Sequence, residues 1–148
     1  MFVHEVLRYA NSDPSTLPPD ARLPEAAIRL RKDGSKAVVV HDGQAHGEPI
    51  GIVTERCIID GLAHYGEAAR VVELHAIMNR EFIACAPDER LEDVMGRMLA
   101  KQRRHVLVMQ DRRMLGILSI DSMLLFLLDA EKLENDLLRD YFLGLGYH

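Results

Sequence analysis

The pattern of apolar and polar residues predicts short strands that alternate with amphipathic helices. Glu81–Cys85 favours a strand, and the apolar residues after it recur at helical spacing, at Leu91, Val94, Met95, Met98 and Leu99. His105–Met109 and Met114–Leu118 then predict two strands that are joined by a tight polar turn. Ser119 has the character of a helix N-cap, and the apolar run Met123–Leu128 forms the body of the helix that follows.

The same order of elements is predicted earlier in the chain. Leu17 lies in a short strand before a Pro-Pro turn, and Leu23–Arg31 has helical spacing. Ala37–Val40 and Ile50–Val53 predict a second pair of strands, and Thr54 is placed to cap the next helix. Each half therefore has the order strand, helix, two strands, helix.

The chain contains this unit twice. Val3–Val40 aligns without a gap on Val71–Val108, each residue 68 positions further along. The identical pairs include Val3/Val71, Glu5/Glu73, Asn11/Asn79, Pro19/Pro87, Asp20/Asp88, Arg22/Arg90, Leu23/Leu91, Arg29/Arg97, Val38/Val106 and Val40/Val108. The match resumes after a longer loop in the first copy, where Gly51–Thr54 faces Gly116–Ser119. A repeat of this size is a duplicated folding unit, which predicts an α+β fold of two βαββα copies.

The repeat and the remaining residues predict three segments: 1–66 as the first repeat, 67–129 as the second, and 130–148 as a C-terminal helix and tail. A half of about 65 residues is near the lower limit for a core of its own, so we expect the two halves to share one. The tail has an apolar stripe among charged residues, at Leu133, Leu137, Leu138, Tyr141 and Phe142. This stripe packs either on its own domain or on a second subunit.

Composition excludes several classes of protein. Hydrophobic residues make up 48% of the chain and charged residues 28%, as in ordinary globular proteins. Apolar runs are too short to cross a membrane, for which about 20 residues are needed, and the first residues resemble no secretory signal, so we expect no membrane insertion and a cytoplasmic location. The net charge of −5 argues against nucleic-acid binding, although the arginines at 103, 104, 112 and 113 leave a local basic patch open.

Motifs for catalysis and for metal binding are missing. The sequence has no GxSxG, HExxH, GxxxxGK or GxGxxG pattern, so we expect that the protein is not an enzyme. His41 and His46 form the only close histidine pair and lack a third ligand, so no metal site is predicted. Cys57 and Cys85 have no CxxC spacing and are expected to be reduced thiols.

The junctions between strands and helices resemble a known family. Gly51–Arg56 and Gly116–Ser119 resemble the turn into the last helix of the CBS domain, named after cystathionine β-synthase. Arg103–Val108 resembles the approach to the central strand of that family, and Val71–Leu74 with Ile77–Arg80 resembles its first segment. The ordered set occurs twice and covers essentially residues 1–129, as in a tandem CBS pair, or Bateman module.

The resemblance implies pseudo-twofold symmetry and clefts that bind an adenosine-containing ligand such as AMP, ADP, ATP, NAD or S-adenosylmethionine. Thr54, Arg56, Ser119 and Asp121 would then lie at the ligand, with Arg103, Arg104 and His105 on a phosphate at the second cleft. Adenine would meet the strand backbone at Ile83, Ala84, Thr16 and Leu17. Each residue also has a structural interpretation: Thr54 and Ser119 as plain helix caps, the arginines as solvated surface, and the strand residues as core.

The sequence departs from the family at one functional position. The family has Asp three residues after the capping Thr or Ser, where it accepts bonds from the ribose hydroxyls, but this chain has Cys57 and Ser122 there. Asp121 is turned by about 100° from Ser122 on a helix, so we do not expect it to substitute. The missing carboxylates favour a second hypothesis, a ligand-free module that docks on an enzyme, transporter or transcription factor.

The first hypothesis is a regulatory sensor that binds an adenosine-type ligand and changes its conformation or oligomeric state. The resemblance implies a homodimer formed through the CBS helices, and the tail helix could contribute to it. An effector protein of unknown identity would receive the signal, because the chain contains no effector domain of its own.

Overall fold

The computed structural model describes residues 1–32, 37–43 and 48–144, with the side chains of 132–134 and 136–144 excepted. The chain begins with helix α1, Val3–Val6, and a 3₁₀ turn, Leu7–Tyr9. The first repeat then contains strand β1, helix α2, strands β2 and β3, and helix α3, which are Thr16–Leu17, Leu23–Lys32, Ala37–Val40, Gly51–Thr54 and Glu55–Tyr65. His46 and the side chains of the predicted tail stripe lie outside the described residues.

The second repeat has the same order. Two 3₁₀ turns, Gly66–Val71 and Leu74–Ala76, lead into it. The elements that follow are β4, α4, β5, β6 and α5, which are Ile83–Cys85, Leu91–Lys101, His105–Gln110, Arg113–Ser119 and Ile120–Gly144. The α+β fold and the doubled βαββα order are confirmed. Asp111 and Arg112 form the turn between β5 and β6, both with positive φ, as a two-residue hairpin requires.

Each repeat builds its own three-stranded sheet. The orders are β1-β2-β3 and β4-β5-β6, with a parallel pair followed by an antiparallel pair in each. Thr16 pairs with Val39 and Ala84 pairs with Leu107, so the two sheets have equivalent registers. The sheets share a core cluster made of Ala37, Val39, Ile52, Leu107 and Ile117. The expected shared core is therefore present.

The segment that leads into each repeat packs on the other repeat. Val3 and Val6 are fully buried in the core of the second repeat, and Leu74 and Met78 are buried in the core of the first. The two leading segments are held by equivalent backbone bonds, for example Val3 N–H to Glu89 carbonyl and Leu74 N–H to Ala21 carbonyl. This exchange joins the halves, because each core is completed by residues of the other.

The gapless alignment is wrong in these leading segments. Phe2 bridges Arg90 while Glu73 bridges the equivalent Arg22, so Phe2 corresponds to Glu73 and not to Arg70. Buried Val3 accordingly corresponds to buried Leu74, whereas Val71 is 59% exposed. Asn11 and Asn79 bridge Ile117 and Ile52, so the original register is restored there. The first copy therefore has three additional residues between His4 and Asn11.

The last helix of the second repeat and the tail are one element. Helix α5 has 25 residues and runs without interruption through Ala130 to Gly144. At 1.5 Å per residue it is about 37 Å long. Its first half packs on the core of the second repeat through Met123 and Phe126. The sequence analysis predicts a repeat helix and a separate C-terminal helix here, because the repeat ends at residue 129. The backbone continues as one helix past that point.

Candidate functional site: a cleft between the repeats

A cleft of about 900 Å³ lies between the two repeats. Helix α3 and its N-cap Thr54 border it as far as Tyr65, a length of about 16 Å at the usual helical rise. The second repeat contributes the segment Gln102–His105 and the first turn of α5 at Asp121. The described residues that line it also include Ile52, Cys57, Ile59, Asp60, Gly61, His64, Ala76, Ile77, Asn79 and Phe82. Its volume is in the range of small-molecule sites.

Thr54 begins helix α3 as a true N-cap. Its backbone is extended, and its hydroxyl accepts a bond from the backbone N–H of Cys57 at 3.4 Å. The Cys57 sulfur lies 3.5 Å from that hydroxyl and 3.9 Å from the carbonyl oxygen of Ile52. The thiol at the family's carboxylate position therefore interacts with its own helix cap and strand.

Ser119 caps helix α5 in the same way. Its hydroxyl accepts a bond from the backbone N–H of Ser122 at 3.0 Å, and the two hydroxyl oxygens are 2.9 Å apart. Both capping predictions are thus correct in geometry. At neither cap does a carboxylate occupy the third helical position, so ribose hydroxyls would need other acceptors.

Three arginines and three carboxylates line the cleft, and the nearest charges are paired. Arg104 Nη2 donates to Asp121 Oδ1 at 3.3 Å, and Arg56 Nε lies 3.5 Å from Asp60 Oδ2. Glu55 is the third carboxylate of the lining. Both pairs are largely exposed, and such pairs contribute about 0–1 kcal/mol. A phosphate could therefore displace these carboxylates at small cost.

Arg103 is more enclosed than the other two arginines. Its side chain is 33% exposed, and its Nη2 lies 3.5 Å from Glu81 Oε2. The Nε atom is buried and has no hydrogen-bond partner among the residues that the structure describes. A buried donor without an acceptor costs about 1–3 kcal/mol, so a ligand oxygen at this point would bind favourably.

The structure brings six of the eleven predicted site residues together: Thr54, Arg56, Arg103, Arg104, His105 and Asp121. The arginines, expected at the second cleft, thus lie beside Thr54 of the first repeat. Ser119 does not line this cleft, and neither do Thr16, Leu17, Ile83 and Ala84 of the edge strands. Leu17 and Ile83 are core residues, while Thr16 and Ala84 are exposed.

Several lining residues were missed in the sequence. Phe82 is half-buried just before β4, and Asp60 and His64 follow Arg56 at intervals of four along α3. The four-residue spacing was a usable signal, because it places three polar residues on one side of a helix. No local pattern indicates Asn79, Gln102 or Phe82, which reach the cleft only because the repeats pack together.

The described residues contain no group of three or more His, Cys, Asp or Glu that could ligate a metal ion. Among the helices in the described part of the chain, none is both long and apolar enough to span a membrane.

Comparison with known proteins identifies the family. The model for the CBS domain matches residues 3–64 and again residues 73–129. The chain therefore belongs to the CBS-domain family and contains a tandem pair, as its motifs indicate. No match is found among curated proteins.

Solved structures show the same fold. A CBS-domain protein from Agrobacterium tumefaciens is 32% identical, with a TM-score of 0.75 over 83% of this chain and 90% of that one. The hexameric CBS-CP12 protein from bloom-forming cyanobacteria is 21% identical, with a TM-score of 0.72 over 84% and 69%. The CBS-domain pair of protein MJ0100, in complex with 5′-methylthioadenosine and S-adenosyl-L-methionine, is 24% identical, with a TM-score of 0.72 over 86% and 95%.

Proposed function

We propose that this CBS pair is a non-catalytic regulatory module that binds an adenosine-containing ligand in the cleft between its repeats. AMP, ADP, ATP, NAD and S-adenosylmethionine are the candidates. The observation that carries the proposal is the convergence of Arg56, Arg103 and Arg104 on one cleft beside the N-terminus of α3. Guanidinium groups and the N–H groups at a helix start both favour phosphate, and the complex of the MJ0100 pair with two adenosine compounds supports this ligand class.

The lining can accommodate both ends of a nucleotide. Ile52, Ile77 and Phe82 provide apolar and aromatic surface for a base, and the arginines provide the charge for phosphates. Arg103 Nε supplies a buried donor whose hydrogen bond a ligand would complete. Cys57 stands where the family has the Asp that binds the ribose hydroxyls, so no carboxylate is available for them at this position. We therefore expect phosphate and base contacts to supply most of the affinity.

Binding would be converted into a signal because the cleft has one wall from each repeat. A ligand that touches Thr54 and Arg104 at once stabilises the arrangement in which both contacts exist. The shift is limited by the difference between its affinities for the two arrangements. The exchanged leading segments tie each core to the opposite repeat, so a change in the angle between repeats would reach both cores.

The outer helices suggest that the module is a homodimer. Helices α2, α3, α4 and α5 expose large apolar side chains, at Ile28, Ile59, Leu62, Leu99, Leu124, Leu125 and Leu128. Contact between two copies would remove this surface from water. The hexameric CBS-CP12 protein supports self-association in this family. The C-terminal part of α5 could extend the interface, and an effector protein would receive the signal.

A second function is favoured by the two helix caps. Cys57 and Ser122 interact with the capping hydroxyls in place of a ribose-binding carboxylate, and Arg104 and Arg56 already have acidic partners. A module that binds no small molecule and docks on an enzyme, transporter or transcription factor would fit these contacts. The same exposed helices would then be its docking surface.

The test is a thermal-shift panel with AMP, ADP, ATP, NAD and S-adenosylmethionine, followed by calorimetry on any ligand that raises the melting temperature. A ligand at 100 times its dissociation constant adds about 2.7 kcal/mol, which corresponds to several degrees for a chain of this size. Arg104→Ala should weaken the ligand about tenfold or more, because a charge-assisted bond contributes about 1.5–3 kcal/mol.

The matched control is Arg31→Ala, which removes an exposed arginine from the last turn of α2, away from the cleft lining. It should leave the affinity unchanged. If no candidate at millimolar concentration shifts the melting temperature, the sensor hypothesis fails and the docking module is favoured.

A further inference from the structure

Arg104 and Asp121 are held next to each other by the backbone of the second repeat. The backbone N–H of Ile120 donates a 2.8 Å hydrogen bond to the carbonyl oxygen of Arg104, which ties the segment before β5 to the start of α5. Arg104 Nη2 donates to Asp121 Oδ1 at 3.3 Å, and both residues line the cleft between the repeats. Their side chains are 73% and 46% exposed, so an anion from solvent can reach the pair.

The start of α5 favours a negative charge at the position of Asp121. This residue lies in the first turn of the helix, and the N-terminal end of a helix attracts anions. The same attraction acts on a phosphate brought to this end of the cleft. Asp121 would therefore compete with such a phosphate twice, for the guanidinium of Arg104 and for the positive end of the helix.

The two repeats carry opposite charges at this helical position. The offset of 65 residues that relates the caps Thr54 and Ser119 also relates Arg56 to Asp121. Both side chains line the same cleft, so one repeat brings a cation to it and the other brings an anion. An anionic ligand is consequently attracted by this position of α3 and repelled by the equivalent position of α5.

Asp121 is the most enclosed of the three carboxylates that pair with arginines of the cleft. Its side chain is 46% exposed, against 66% for Asp60 and 88% for Glu81. Its contact is also the shortest, at 3.3 Å against 3.5 Å for each of the other two. A less exposed charge is screened less by water and salt, so the loss of Asp121 should change anion binding more than the loss of either other carboxylate.

We propose that Asp121 is a built-in competitor for the anionic part of the ligand, which sets the affinity of the cleft instead of binding the ligand. A phosphate that binds the Arg104 guanidinium must displace this carboxylate. Asp121 thereby determines specificity, because it disfavours ATP most, AMP less, and the cationic S-adenosylmethionine not at all. The identity of these ligands rests on the proposed function, whereas the competition for Arg104 does not.

The test measures anion binding in Asp121→Asn, which removes the charge and keeps the size of the side chain. ATP, AMP and S-adenosylmethionine are titrated by calorimetry, and inorganic tripolyphosphate serves as a probe without a nucleoside. The matched control is Asp93→Asn, because Asp93 is an exposed acidic residue in the first turn of α4, outside the cleft lining. Asp121→Asn is also combined with Arg104→Ala, where the competition cannot take place. Each variant must first show a cooperative thermal transition, and Asp121→Ser replaces Asp121→Asn if the latter does not.

We expect Asp121→Asn to bind ATP about three- to tenfold more tightly than the wild-type chain, because no exposed ion pair has to be broken and a like charge beside the phosphate is gone. The gain should be smaller for AMP and absent for S-adenosylmethionine. Asp93→Asn should bind as the wild type does. In the Arg104→Ala background, Asp121→Asn should gain nothing.

An unchanged or weaker affinity for ATP in Asp121→Asn would overturn the competition and leave the proposed function intact. An equal gain in Asp93→Asn, or in the Arg104→Ala background, would also overturn it, since the gain would then reflect net charge alone. If no nucleotide binds either the wild type or Asp121→Asn, the proposed function fails and tripolyphosphate decides alone. Tighter tripolyphosphate binding in Asp121→Asn that is lost with Arg104→Ala supports the competition, and equal binding or none overturns it.

Discussion

The hydroxyl of Tyr9 donates a 2.7 Å hydrogen bond to Oδ2 of Asp129, across 120 positions of sequence. This contact joins the 3₁₀ turn that follows α1 to the middle of helix α5. The same bond raises the pKa of the Tyr9 phenol above its ordinary 10.0, because the carboxylate accepts a hydrogen bond that only the protonated phenol can donate, and desolvation adds to the effect.

The replacement Asp129→Asn should lower the pKa of Tyr9 toward 10.0. A raised pKa means that the protonated phenol is the form stabilised in the folded protein, so the contribution to stability is present below pH 10 and is lost as the pH rises through the raised value. The pKa of Tyr9 can be measured by following its ring resonances in an NMR titration, with Tyr9→Phe used for their assignment. An unchanged pKa in Asp129→Asn would show that the bond does not persist in solution.

Gly116→Ala should destabilise the fold through a steric clash. A Cβ at 116 would lie 2.9 Å from the backbone oxygen of Asn11 and 3.2 Å from Cβ of Ala10, where the leading segment crosses β6. Forced overpacking costs about 1–3 kcal/mol, measurable as a lower urea midpoint. The control is Gly96→Ala in α4, where a Cβ meets no atom within 4 Å and should add about 0.5–1 kcal/mol of stability. Equal midpoints for the two variants would contradict the close approach.

Helix capping can be separated from ligand binding at Thr54 and Ser119. Each hydroxyl accepts the N–H of the third helical residue, so Thr54→Ala and Ser119→Ala should each cost about 0.5–2 kcal/mol in the free energy of unfolding. Thr54 borders the cleft between the repeats, and Ser119 does not. Calorimetry should therefore show weaker nucleotide binding in Thr54→Ala alone, whereas equal losses in both variants would contradict this assignment.

The two cysteines should differ in reactivity. Burial chiefly, and then the charge of Glu89, raises the pKa of the Cys85 thiol to about 12, whereas Cys57 is half-buried on the cleft. Thiolate is the reactive form, so at pH 8 a disulfide reagent should label one cysteine in the folded chain and both in denaturant. Cys57→Ser should leave no reactive thiol before unfolding, and a cleft ligand should slow the labelling of Cys57. Rapid labelling of Cys85 in that variant would contradict its burial.

The outer face of α5 should influence the mass of the protein in solution. Leu128 is 60% exposed, so Leu128→Asp should change the monomer little but weaken a dimer that buries this face. Light scattering measures the mass, and Asn135→Asp, which adds the same charge at an exposed position of the helix, is the control. An undiminished dimer in Leu128→Asp would exclude this face from the interface.

Local sequence patterns determined the elements of each repeat. The alternation of apolar residues and the turn residues placed β2 at Ala37–Val40, as observed, and the start of α4 at Leu91. The caps at Thr54 and Ser119 were also predictable, because a capping bond spans only three residues. The duplication itself is a property of the sequence, and it implied two equivalent sheets.

Tertiary structure decided the register of the leading segments and the composition of the cleft. Val3 matches Val71 in sequence, yet Leu74 fills the equivalent core position, because the choice depends on which side chain fits the core of the opposite repeat. Arg104 and Thr54 share a cleft only because the sheets pack against each other. Tyr9 and Phe126 come into contact for the same reason: contacts between residues far apart in sequence depend on how the halves pack, which no local pattern encodes.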